Sequence, residues 1–183
     1  MKGFLIGLVL GLLVVPACIF GYFKFGHPPV AVSDPPLPFE QQIVDVPLNA
    51  RIDREYPRKA GLEPTETNLT IGAHIYRQQC AGCHGLYGRP ADFGKTMYPG
   101  APQLWEPHGG GVVGVSDDPP GVTYWKVKNG IRLSGMPAFE HVLNDTQMWQ
   151  VTQLLATADK PLPAGVLDLM KQPFDLDPGT SQQ

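Results

Sequence analysis

Cys80-Ala81-Gly82-Cys83-His84 places two thiols three positions apart and an imidazole directly behind the second. That arrangement is the attachment signature of c-type haem: each thiol forms a thioether with a porphyrin vinyl group, and the histidine reaches the iron. The spacing follows from the chemistry. Two thioether bonds on one side of the macrocycle fix its orientation, and a histidine immediately after the second bond comes to lie below the metal. A structural zinc site is the alternative; it uses four ligands, usually in two spaced pairs, and no second cysteine pair follows Cys83. The third cysteine, Cys18, lies in an apolar run. It is either a small buried hydrophobe or, after cleavage at Val15-Pro16-Ala17, a lipidated residue.

A second axial ligand has to come from far along the chain. Met97, Met136, Met148 and Met170 follow the motif, as do His108 and His141. Methionine is commonly a flexible core filler, which is the expectation for Met148 on an apolar helical stripe, while Met170 falls in a C-terminal tail. Met136 differs because Ser134-Gly135-Met136-Pro137 sets it on a stiff, non-helical loop where glycine permits close approach and proline limits fluctuation.

The elements that must position these residues are helices. Asn68 or Thr70 can cap one running to Cys80, with Leu69, Ala73, Tyr76 and Cys80 at helical spacing. Val122 to Lys128 reads as a shorter helix ended by Asn129-Gly130. Asn144 and Gln147 form a capping-box start for a last helix carrying Met148, Val151, Leu154 and Leu155, which Pro161 and Pro163 follow. Helices joined by glycine-rich loops without strand alternation predict a small all-α domain over 67–163, with 164–183 as a tail.

Two segments precede that domain. Gly3 to Phe23 carries no charge and as a helix spans roughly 32 Å, a bilayer core. Its length and its interfacial aromatics predict an uncleaved signal anchor over 1–25. Gly3, Gly7 and Gly11 line one face of it, either as a packing surface for a partner helix or as ordinary membrane glycine. From 26 to 66, Pro28, Pro29, Pro35, Pro36, Pro38, Pro47, Pro57 and Pro64 predict an extended linker, serving as a tether or as a strap along a partner.

The chain resembles the class I cytochromes c, of the bacterial membrane-anchored, single-haem type, over roughly Leu69 to Leu155. The resemblance rests on Gly72-Ala73-His74-Ile75-Tyr76 leading into the haem motif and Gly85, on Ala101-Pro102-Gln103-Leu104, on Gly130-Ile131 running into Gly135-Met136-Pro137-Ala138-Phe139, and on Trp149. It implies three to five helices around one covalently bound haem c, with Met136 as the distal ligand to iron. It also implies that the Pro102 carbonyl accepts a hydrogen bond from His84, and that Gly72 and Tyr76 meet Trp149 where first and last helices cross. The path from the motif to Pro102 is longer than the family's, so Pro90 is a rival for Pro102. Arg132 either neutralises a haem propionate or is solvated, and His108 has the same two readings. His74 is expected on the surface.

With 14 basic and 17 acidic residues the chain is mildly acidic and has no basic stripe for a phosphate backbone, which sets nucleic acid aside as a partner. The expectation is one-electron transfer between a redox protein donor and acceptor, with the haem domain in the periplasm and the anchor in a bacterial inner membrane. The chain would then serve a respiratory or photosynthetic membrane complex. Its rivals are a haem enzyme or gas sensor with an open sixth position, and a mainly assembly-related subunit of a redox complex.

Overall fold

The computed structural model describes residues 2–173, and every regular element in that range is a helix. Contacts divide the chain into two units, 1–40 and 41–183. In the first, α1 (Lys2–Phe25) runs through Pro16 with its side chains exposed, and it is long and apolar enough to cross a membrane. Past α1, the Asp34 carboxylate accepts hydrogen bonds from the Val30 and Ala31 amides, both at 2.9 Å, and closes a small turn.

The stretch from 26 to 66 is not extended throughout, as its prolines predict. It contains the sixteen-residue α2 (Glu40–Glu55), with Pro47 in its eighth position. Proline there removes one backbone donor and disfavours the helix, but the remaining residues are mostly good helix formers, and the helix is held by tertiary contacts. Ile52 is buried, and Glu55 accepts from the Trp125 indole N–H at 3.0 Å.

The haem-motif helix is α3 (Glu66–Gln79). Its cap is Thr65 rather than Asn68 or Thr70, and its buried face is Leu69, Gly72, Ala73, Ile75 and Tyr76. Then come two single turns, α4 (Ala81–His84) and α5 (Asp92–Lys95), followed by α6 (Pro120–Asn129) and α7 (Asp145–Ala156). The expected capping box at Asn144 and Gln147 is present, with both hydrogen bonds at 2.9 Å.

Helices α3 and α7 make the most extensive helix pairing. They touch at Gly72, where an added side chain would run into the Gln150 backbone, its carbonyl carbon 2.8 Å away. The crossing therefore falls one residue beyond Trp149. Trp149 instead turns toward α6 and stacks on Tyr124 with ring centroids 4.3 Å apart, while Tyr76 meets Trp105 edge-on at 5.8 Å. Met148 is in the core, as its stripe predicts.

Met170 is also fully buried, contrary to its expected place in a tail. It lies on α8 (Ala164–Lys171), which packs on α3 with Val166 and Met170 inward. Arg77 of α3 donates to the Leu169, Gln172 and Pro173 carbonyls at 2.8 to 2.9 Å, satisfying acceptors that a helix end leaves open. The remainder of the expected tail, 174–183, lies outside the described residues.

Candidate functional site

Cys80 ends α3 with its amide on the Tyr76 carbonyl at 2.8 Å, and its own carbonyl starts the next turn by accepting from Cys83 and His84 at 3.1 and 2.9 Å. The break between two helices thus falls on the first thiol, and one tight turn brings Cys80, Cys83 and His84 together. Tyr76, fully buried, donates its hydroxyl to the Gly85 carbonyl at 2.8 Å and anchors the exit of that turn. Burial, reinforced by the neighbouring thiols, pushes the Tyr76 phenol well up, so it is a fixed donor at any physiological pH.

Both thiols are free and partly exposed. Burial and the Cys83 thiol push Cys80 up to about 12. Among the described residues no further His, Cys, Asp or Glu side chain joins Cys80, Cys83 and His84 to complete a four-ligand zinc set.

The imidazole is held through one nitrogen. His84 Nδ1 lies 2.8 Å from the Pro102 carbonyl oxygen, so the carbonyl that meets it belongs to Pro102 and not to Pro90. A carbonyl only accepts, which makes Nδ1 the protonated nitrogen and leaves the Nε2 lone pair for a metal. Burial holds the imidazole pKa below its ordinary value, against an opposing pull from that hydrogen bond, and favours this neutral form.

Gln103 braces the same turn. Its Oε1 accepts from the Ala91 amide at 2.6 Å, and its Nε2 donates to the Cys83 and Ala101 carbonyls at 3.1 Å each. The Leu104 amide donates to the His84 carbonyl at 3.1 Å. On the other side Gly94 rests on the Cys83 carbonyl so closely that no side chain fits there.

Met136 is partly buried against the core on a loop that folds back at Gly130, whose φ of 68° suits glycine. Ile131 donates to the Met136 carbonyl at 3.2 Å, and the Ser134 hydroxyl joins the Ile131 carbonyl at 2.7 Å to the Met136 amide at 3.2 Å. Leu133, at the tip, is 73% exposed with φ at 63°, a conformation unusual for leucine. Arg132 is exposed beside it and lines an open groove of about 470 Å³ with Ile43, Leu48, Arg51 and Trp125. His74, His108 and His141 are all exposed.

Two further residues stand near the site, one without an assigned role in the sequence and one only among the candidate methionines. Trp105, 4% exposed and packed on Tyr76, has an indole N–H without an acceptor in the polypeptide. Met97, one of several unassigned methionines, extends to Gly135. Both depend on contacts between distant segments, which leave no periodic signal.

Residues 67–155 match the family described as cytochrome C oxidase, cbb3-type, subunit III. Comparison with curated proteins and with solved structures found no match. The match implies covalently bound haem c with its iron, and the residues fit that group: paired free thiols, a neutral imidazole presenting Nε2, and a buried donor in Trp105 that lacks a partner. Cys80 and Cys83 would hold the haem and His84 would face its metal.

Proposed function

Residues 67–155 form a class I c-type cytochrome domain, and on that footing we propose that the chain transfers single electrons with His84 and Met136 as axial ligands, anchored by α1 with the haem domain in the periplasm. The observation that carries this is the bond from His84 Nδ1 to the Pro102 carbonyl, which commits Nε2 to the metal and fixes the ring.

When bound, the haem supplies a one-electron couple between ferric and ferrous iron. The chain's part is to keep coordination constant. His84 cannot rotate without breaking its hydrogen bond, and the soft thioether of Met136 favours the ferrous state and raises the potential. The description of the matching family favours a respiratory membrane complex as the setting, with a redox protein donor and acceptor on either side of the transfer.

The test is optical and uses the full-length holoprotein. Wild type should show the weak far-red sulfur-to-iron band when oxidised and bind carbon monoxide slowly when reduced. Met136→Ala should lose the band, bind carbon monoxide rapidly and fall in potential. Met148→Ala should keep the band while losing about 2 to 5 kcal/mol of stability. A wild-type protein without the band and with rapid carbon monoxide binding would instead support a haem enzyme or gas sensor.

A further inference from the structure

We propose that Met97 is a positioning residue for Met136, a thioether clamp that ties the loop after the haem motif to the loop carrying the distal ligand. This rests on the reading of Met136 as that ligand.

The clamp is fixed at its base. Gly94 sits on the Cys83 carbonyl, and the Gly94 carbonyl accepts from both the Met97 and Ala101 amides, at 3.4 and 2.9 Å. The backbone of Met97 is therefore one turn from Gly94, which packs directly against the Cys83 carbonyl.

From that base the side chain reaches across to Gly135, the residue immediately before Met136. The Met97 methyl occupies the space a Gly135 side chain would need, and its sulfur lies 3.4 Å from the same point. Glycine at 135 is thus the socket for Met97. The contact is apolar, so it contributes dispersion and excluded water without imposing a polar partner, and an unbranched thioether adapts to an irregular gap. It restrains the backbone next to Met136 Cα, where the loop's own hydrogen bonds are few. Met97 in this way governs how readily the Met136 sulfur leaves the iron.

The experiment follows the far-red band of the oxidised full-length holoprotein and the rate of carbon monoxide binding to the reduced form. Met97→Ala should retain covalent haem, weaken the band and speed carbon monoxide binding by about tenfold, as expected for losing a few partly buried apolar groups. Met97→Leu, of similar bulk, should return both readouts to within about threefold of wild type.

Gly135→Ala approaches the contact from the other side and keeps the approach informative if Met97→Ala folds poorly. It should displace the Met97 methyl and speed carbon monoxide binding in the parent, but have little effect where residue 97 is alanine and the space is empty. Equal effects of Gly135→Ala in both backgrounds would overturn the clamp, as would wild-type readouts in Met97→Ala while Met136→Ala lacks the band. If Met136→Ala keeps the band and Met97→Ala loses it, Met97 is itself the ligand, and the assignment of Met136 fails together with the clamp.

Discussion

The His84 side and the Met136 side of the site are held by different means. Around His84, backbone and side-chain hydrogen bonds converge from three directions: Pro102 on the ring, Leu104 on its carbonyl, and Gln103 on Cys83, Ala91 and Ala101. Around Met136 the holds are the Ile131 amide on its carbonyl and the Ser134 hydroxyl on its amide, both at 3.2 Å, and an apolar contact from Met97 at the neighbouring Gly135, with Arg132 and Leu133 exposed at the tip. On the proposed ligation, the difference teaches which bond to iron would yield first. A side chain that must aim a lone pair is locked by directional bonds, whereas a soft sulfur ligand held mainly by packing would be displaced without dismantling the core.

The largest effect expected on this comparison comes from the thiols that the His84 side is built to present. Cys80→Ser and Cys83→Ser should each sharply reduce haem retained after denaturation, read by haem stain and mass. Wild-type staining in both variants would remove the basis for the comparison.

A smaller effect measures the asymmetry itself. Gln103→Ala strips one donor and two acceptors of their partners and should cost about 1 to 3 kcal/mol in denaturant unfolding. Ser134→Ala, on the Met136 side, should cost about 0.5 to 1.5 kcal/mol while still weakening the far-red band. Equal stability losses from the two would mean that the sides are held alike.

The smallest effect is expected at α2, which borders the groove beside Arg132 and Leu133. The Trp125 indole and the Arg51 guanidinium hold the Glu55 carboxyl below its usual 4.5. A depressed folded pKa stabilises the fold above the unfolded value and loses that contribution as pH falls through the folded one. Tryptophan emission should therefore report loosening of α2 on acidification through and below the ordinary carboxylate range, and Glu55→Gln should flatten that dependence. An unchanged acid profile in the variant would show that Glu55 does not hold α2.

Much of the site was legible because its spacing is dictated by covalent chemistry or by helix periodicity. Cys80, Cys83 and His84 are adjacent in sequence, and Met148 shares the stripe of Val151, Leu154 and Leu155. What was not legible depends on contacts between distant segments. Pro47 reads as a helix breaker, yet α2 forms around it, anchored through Ile52 and Glu55. Val166 and Met170 stand four apart, a helical spacing overshadowed by Pro161 and Pro163, and only the surface of α3 and the reach of Arg77 make them core. The Trp149 expectation missed by one residue because its side chain turns to Tyr124, and Met97 had no local feature to separate it from other methionines.

The grip of Arg77 on Leu169, Gln172 and Pro173 also sets a schedule for the molecule's manufacture. α3 packs most extensively on α7 and also on α8, so a chain emerging from its amino end delivers Cys80 and Cys83 well before those two helices. At typical synthesis speeds the delay across some 90 residues is on the order of 10 s. During that interval the helix that leads to the thiols lacks its main cover, and the arrival of α8 completes it.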